Sequence, residues 1–219
     1  QHFMGNQWQA VTADVNPAPL IYSLPHLSQK VQVDGIFGWP PVHGGREILP
    51  ATWRGYLSDL YARGRKGDRF IAPVFPGFRD IYKQAGVHES YGFLDDRGGA
   101  TFSETLELAL RSESSLIQIA TWNDYGEGTI IEPTVKLGYR YLELLQRRVV
   151  EKRGEAFQFT ARHLRLPVKL YQLRKQHKND GKVMEMLNGV SELLFSSKCA
   201  EAIGLLGKIG GNVQQSCPE

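Results

Sequence analysis

Three carboxylates, Asp124, Glu127 and Glu132, fall within nine positions of a segment that also carries Gly126, Gly128 and two aromatic residues, Trp122 and Tyr125. Acidic residues in a loop are ordinarily just solvated. Here the preceding run, Leu116 to Thr121, has no charge and ends directly in Trp122-Asn123-Asp124, so Asp124 is expected to emerge at the mouth of a buried element. Cleavage of a glycosidic bond needs two carboxyl groups. One is protonated and donates to the leaving oxygen; the other is ionised and activates water or attacks, and different surroundings keep their pKa values apart. Asp124 and Glu127, three residues apart across a glycine, can supply that pair from a tight turn facing one cleft. Trp122 or Tyr125 would give a sugar ring an apolar surface and help to desolvate the acid. Glu132 stands before Pro133, where an acidic residue near a helix amino terminus is explained by the helix dipole, so a structural role is expected for it.

Other chemistries find less support. The six histidines, at positions 2, 26, 43, 88, 163 and 177, show no metal-ligand spacing, and Cys199 and Cys217 give neither a disulfide framework nor a thiolate site. Gly44-Gly45 and Gly98-Gly99 read as flexible turns, because neither has the strand, Gly-rich loop and helix of a phosphate site. No metal and no cofactor are therefore expected. The formal charge of +3, from 26 basic and 23 acidic residues spread along 219 positions, makes no case for nucleic acid or an anionic membrane. No run of about 18 apolar residues exists to span a bilayer, and the first residues lack the basic and apolar regions of a signal peptide.

The elements that would position the carboxylates are short. Leu20 to Leu24, Val33 to Phe37, Phe70 to Phe75 and Leu116 to Thr121 read as buried parallel strands, each bounded by turn residues and separated by intervals too long for hairpins. Trp53, Leu57, Leu60 and Tyr61 predict a helix over 51–63, and Thr101 with Glu104 reads as a capping box ahead of Leu106, Leu108, Ala109 and Leu110. Repeated βα units make an open doubly wound sheet or a closed barrel, and both put working residues at the carboxyl ends of the strands. Trp39, Arg79, Asp80 and the 122–127 segment would then share one rim. Trp39 is a sugar platform or a core plug; Arg79 and Asp80 orient substrate hydroxyls or pair with each other; Asp34, ahead of Gly35, reads as a hydrogen-bonded turn former.

A helix over 135–152 is expected to pack outside the barrel on Val135, Gly138, Leu142, Leu145 and Val149. Beyond it, Pro167 opens a helix, Asn179-Asp180-Gly181 breaks it, Val183, Leu187, Val190 and Leu194 mark another, and Ser196-Ser197 starts a shorter one. The expected organisation is a partial α/β barrel over 1–152, a helical appendage over 153–209 and a disordered tail over 210–219. An eight-stranded barrel takes about 250 residues. Four strands in about 150 therefore imply either the carboxyl-terminal half of such a barrel, with its amino-terminal half outside this sequence as partner, or a smaller open sheet.

At these residues the sequence resembles known glycosidases. Thr121-Trp122-Asn123-Asp124-Tyr125-Gly126-Glu127 resembles the motif of glycoside hydrolase family 71, the α-1,3-glucanases. Glu127-Gly128-Thr129-Ile130-Ile131-Glu132-Pro133 resembles that of family 99, the endo-α-mannosidases. Residues 33–39 and 74–80 are similar to further segments of the same group. The resemblance implies a (β/α)8 barrel without a metal, acting on α-linked oligo- or polysaccharides, secreted or periplasmic, with positions 124 and 127 as the catalytic pair. Trp39, Trp122, Asn123, Tyr125, Arg79 and Asp80 are the expected substrate-binding residues. In the inverting family 71 pattern Asp124 would be the base for water and Glu127 the acid. In the family 99 pattern, which retains through the neighbouring 2-hydroxyl, the first position is Glu and Trp-His stands where this sequence has Tyr125-Gly126. Competing readings are a carbohydrate-binding protein of the same fold without turnover and a protein associated with glycosyl transfer in polysaccharide biosynthesis.

Overall fold

The computed structural model describes residues 7–66, 69–153 and 158–210. In chain order the elements are α1 (Gln7–Thr12), β1 (Tyr22–Ser23), β2 (Gly35–Phe37), β3 (Arg46–Glu47), α2 (Pro50–Arg65), β4 (Arg69–Val74), β5 (Phe78–Arg79), β6 (Gly92–Leu94), α3 (Ala100–Arg111), β7 (Leu116–Ile119), α4 (Arg140–Arg153), α5 (Leu166–Gln176), α6 (Gly181–Phe195) and α7 (Cys199–Gly210). The chain clusters into two compact units, Gln1–Leu145 and Gln146–Glu219.

The first unit is built on four parallel strands in the order β1-β2-β4-β7. Each later strand is added on the same side of the one before, with α2 linking β2 to β4 and α3 linking β4 to β7. A doubly wound sheet reverses its order at a switch point. Sequential order without reversal is the arrangement of a partial (β/α) barrel. Register pairs Gly35 with Arg69, and Ile71 through Val74 with Leu116 through Ile119, so the loops that follow β4 and β7 leave the sheet side by side.

Two helices cover one face of this sheet. α2 starts on Pro50, whose missing N–H costs nothing in the first turn, and turns Trp53, Leu57, Leu60 and Tyr61 inward. Its last turn passes so close to β4 that a Cβ on Gly64 would lie 2.1 Å from the Phe70 ring, which only glycine allows. α3 buries Thr101, Phe102, Thr105, Leu106 and Ala109. Thr105 pins it to the end of β4: its hydroxyl accepts from the Phe75 N–H at 3.3 Å and donates to the Phe75 carbonyl at 3.1 Å. The core gathers Ile36, Trp53, Leu57, Ala72, Val74, Phe75, Phe78, Phe102 and their neighbours, with Trp53 edge-on to Phe75 at 6.0 Å.

Several sequence expectations need correction. The capping box does not form: Gly99 is the amino-terminal cap of α3, the Thr101 hydroxyl donates to the Asp95 carbonyl, and Glu104 pairs with Arg54 and Arg97. The predicted helix over 135–152 begins five residues late, at Arg140, because Thr134 and Gly138 close a turn with Gly138 at a φ of 56°. Glu132 thus lies well before any helix amino terminus, and the dipole explanation for it fails. A second sheet, β3-β6-β5, is built from the loops after β2 and β4 and had no counterpart in the sequence reading.

The second unit packs α5, α6 and α7 around Leu166, Leu170, Leu173, Leu187, Val190, Ala202 and Leu206. Asp180 caps α6, accepting from the Val183 N–H at 3.1 Å. The expected disordered tail lies, beyond Gly210, outside the described residues. No described helix is long and apolar enough to cross a membrane.

Phe75→Ala removes a ring with no solvent exposure from the centre of the first core. It is expected to cost about 3–5 kcal/mol of stability, read from the urea midpoint, with Leu187→Ala costing about 2–5 kcal/mol in the helical unit.

Candidate active site

The chain leaves β7 through a cis peptide at Ala120–Thr121 and makes a closed loop over 121–131. The Thr121 N–H donates to the Thr129 carbonyl at 2.8 Å and their hydroxyls meet at 3.0 Å; the Trp122 carbonyl accepts from both Ile131 and Glu132. Inside the loop the Thr121 hydroxyl accepts from the Asp124 N–H at 3.0 Å, and Asp124 Oδ1 accepts from the Glu127 N–H at 2.9 Å. Short polar side chains that capture nearby amides are what allow such a loop to hold one shape.

The loop is strapped to the chain that follows β4. The Arg79 N–H donates to the Glu127 carbonyl at 2.9 Å and the Ile81 N–H to the Gly126 carbonyl at 3.0 Å. Gly128 permits this contact: its φ is 65°, and a Cβ there would sit 2.8 Å from the Arg79 carbonyl oxygen.

Glu127 is the focus of the site. Tyr82 donates its hydroxyl to Oε1 at 3.3 Å, while Oε2 is buried without a hydrogen-bond partner. Desolvation pushes the carboxyl above its ordinary pKa and the negative charge of Asp124 pushes further. Trp39 and Tyr82 oppose this by favouring the charged form, and Asp80 adds a smaller upward push. Trp39 is half-buried, with its backbone N–H donated to the Tyr56 hydroxyl at 3.2 Å, and its side chain reaches the Glu127 carboxyl from the loop after β2. Side chains from three strand ends thus act on Glu127: Trp39, then Tyr82, then Asp124, with Asp80 acting through its charge alone.

Not every expected residue joins them. Asp80 Oδ2 accepts from the Ser90 hydroxyl at 3.1 Å and the Tyr91 N–H at 2.8 Å, and Oδ1 is buried, so Asp80 closes the neck of the 80–91 loop rather than facing a ligand. It also makes no pair with Arg79, whose guanidinium lies over the Phe93 ring at 4.0 Å. Tyr125, 54% exposed, turns its hydroxyl to Glu132. Arg79 and Tyr125 line a separate cleft of about 880 Å³ with Phe93, Asp95, Asp96, Lys136 and Tyr141, which neither Asp124 nor Glu127 enters. Trp122, at the neck of the loop, and Asn123 are exposed. Trp122 and Tyr125 therefore do not supply the expected desolvation of the acid; Glu127 is desolvated by burial within the site, and Trp39 and Tyr82 act on it through hydrogen bonds that favour its charged form. Asp34 accepts the Ile21 N–H at 2.8 Å. Among the described residues no group of three or more His, Cys, Asp or Glu is placed to hold a metal ion. Tyr82 was not singled out from the sequence, and no local pattern marks it, since its partner is 45 positions away.

No family model matches the chain. A mutanase from Penicillium rubens is 30% identical over a match 145 residues long that covers 60% of this chain and 30% of the mutanase. Two solved structures of the family 99 endo-α-mannosidase from Bacteroides thetaiotaomicron, one in complex with bis-tris-propane, are 18% and 20% identical to it. They cover 56% and 57% of this chain and 42% and 40% of their own, with TM-scores of 0.41 and 0.42. The chain spans less than a third of the curated relative and about two fifths of the solved structures. It is a protein similar to the glycoside hydrolases of families 71 and 99.

Gly128→Ala is expected to destabilise the protein by about 1–2 kcal/mol from the left-handed backbone alone, and by more from the clash with Arg79. Hydrogen exchange at the Arg79 amide should accelerate more than exchange in α2; equal protection of both amides would show that the strap is not what Gly128 protects.

Proposed function

We propose that this chain carries the catalytic carboxyls of an α-glycan hydrolase, with Glu127 as the proton donor and Asp124 as its partner base. The observation that carries this reading is the state of Glu127: one oxygen held by Tyr82, the other buried without a partner, beside the anion at Asp124. A carboxyl so placed keeps its proton to higher pH than a solvated one, which is what a donor to a glycosidic oxygen requires. The Glu127 proton passes to the leaving oxygen as its bond to the anomeric carbon breaks, and the glycan departs as an alcohol. Water adds to the anomeric carbon and gives its proton to Asp124. The similarity to a mutanase supports an α-glucan substrate, and the resemblance of the 121–127 string to family 71 supports this inverting route.

The rival route, in which Asp124 takes the proton of a neighbouring 2-hydroxyl, is separated from it by the anomer first released, read by proton NMR. A protein that binds glycans without turnover would show no released sugar at all.

Glu127→Gln and Asp124→Asn are each expected to lower turnover of α-1,3-glucan or α-mannan oligosaccharides by about 10²–10⁴-fold while sugar binding persists. Unchanged hydrolysis in either variant would sink the assignment. In the parent, activity should fall as pH rises through the raised Glu127 pKa, because the donor is then ionised. The same shift has a stability consequence. The folded protein favours protonated Glu127, so stability is fullest below the ordinary carboxyl pKa and declines as pH rises through the raised one. Glu127→Gln should therefore flatten this part of the melting temperature against pH curve, and an unaltered curve would count against the burial of that carboxyl.

A further inference from the structure

The segment between β5 and β6, which carries Asp80 and Tyr82, is built as a closed loop with an aromatic surface. Asp80 seals its neck by accepting from Ser90 and Tyr91, and Ile81 ties it to the carboxylate loop through Gly126. Within it the Ala85 N–H donates to the Ile81 carbonyl and the Val87 N–H to the Tyr82 carbonyl, and Lys83 pairs with Glu89 at 2.9 Å across the turn. This folding brings three rings together. Tyr82 lies 4.5 Å from His88 and 5.5 Å from Tyr91, and His88 lies 4.7 Å from Tyr91. The stack is no part of the hydrophobic core: His88 is exposed and Tyr91 is 47% exposed.

Ordering three rings at the surface costs side-chain entropy that little burial offsets, so packing alone does not account for the arrangement. One end of it is chemical. The Tyr82 hydroxyl donates to Glu127 Oε1, so the stack begins at the proposed proton donor and runs outward to the open face of Tyr91. His88 Nδ1 is engaged with the Glu89 carbonyl at 2.6 Å, which leaves Nε2 for a further polar partner. Exposed aromatic faces beside hydroxyl and imidazole groups suit pyranose rings, whose axial C–H faces stack while their edges hydrogen-bond. A general acid sits on the leaving-group side of the scissile bond, because that is where it delivers its proton.

We propose that the Tyr82, His88 and Tyr91 stack is a sugar platform for the departing part of the glycan, with Tyr82 also acting as a positioning residue for Glu127. The proposal rests on the reading of Glu127 as proton donor, and two readouts separate the failure of one from that of the other. Binding of α-1,3-glucan and α-mannan oligosaccharides is first measured by calorimetry on the Glu127→Gln protein, without turnover. Adding Tyr91→Ala should weaken binding about tenfold, the equivalent of one good ring contact, and Tyr91→Phe should restore it. The Tyr91 contact to Asp80 is made by its backbone N–H, so both variants keep the neck of the loop.

Turnover is then followed in the otherwise intact protein. Tyr82→Phe should lower kcat about tenfold on oligosaccharides with KM little changed. It should also move the alkaline limb of activity upward, since a hydrogen bond that favours the charged carboxylate is lost. With an aryl α-glycoside whose phenol leaves without protonation, its rate should match the parent's. Equal affinity of the Tyr91→Ala and parental proteins overturns the platform even if hydrolysis is normal. A loss of kcat with the aryl glycoside equal to that with oligosaccharides overturns the positioning role. Weakened binding in Tyr91→Ala, in a protein that hydrolyses nothing, keeps the platform and overturns the acid and base assignment. No sugar binding by any form overturns both.

Discussion

Main-chain hydrogen bonds across two neighbouring strand ends hold Glu127 in place, and most of the site depends on them. Its carbonyl accepts from Arg79, its N–H is given to Asp124, and the adjacent Gly126 carbonyl accepts from Ile81. These bonds require that the chain leaves β4 and β7 at the same height, which the parallel register of Val74 with Ile119 provides. Fixing each residue of two such loops costs about 1–2 kcal/mol of backbone entropy. The loops cannot recover that by burial of their own, because their side chains are largely polar or exposed. The buried rings beneath them, Phe75 and Phe78 at the exit of β4 and Phe102 on α3, anchor the strand ends from which both loops start.

The same geometry explains what could be read from the sequence. Uninterrupted apolar runs made all four strands of the main sheet visible, but the expectation that all are buried fails for β1 and β7, which end the strand order and are half-buried or exposed, with Leu116 53% exposed. Each run also extends past the residues that pair: 20–24 against Tyr22–Ser23, 116–121 against Leu116–Ile119. The strands of the β3-β6-β5 sheet, Arg46–Glu47, Phe78–Arg79 and Gly92–Leu94, lie in no uninterrupted apolar run, and that sheet was missed for that reason. The start of α4 was misplaced because Val135 fits the apolar spacing of a helix and is in fact fully exposed on a turn. In the site, residue type and position after an uncharged strand picked out Asp124 and Glu127. The groups that modulate Glu127 come from elsewhere: Trp39 could be guessed from its place after a strand, whereas Tyr82 depends on a loop closed by Asp80 through a hydrogen bond to a backbone amide eleven positions away.

The carboxylate loop also divides residues that the sequence grouped together. Tyr125 and Arg79 face a cleft walled by Phe93 and Tyr141, while Glu127 faces Trp39 and Tyr82. Alternation of this kind follows from a tight turn, in which neighbouring side chains leave in different directions. Adjacency in a motif such as Trp122 to Glu127 is therefore weak evidence that its members touch one ligand. The residues that do share an environment come from three separate loops, as expected where several strand ends meet at one rim.

Where the fold leaves polar atoms unsatisfied gives independent weight to this assignment. A buried oxygen without a partner costs about 1–3 kcal/mol, so folded proteins keep few of them. Among the described residues, two of the buried unpaired side-chain atoms are carboxylate oxygens, Asp80 Oδ1 and Glu127 Oε2. Both belong to loops joined by the Ile81 to Gly126 bond, and the charge on Asp80 acts on Glu127. Of the two, Glu127 is the one whose proton is held to higher pH, by desolvation first and by the negative charge of Asp124 next. Asp80 thus contributes to the site through its charge and its hold on the 80–91 loop, and the burial of Glu127 beside the negative charge of Asp124 is the physical basis for its proposed role as an acid.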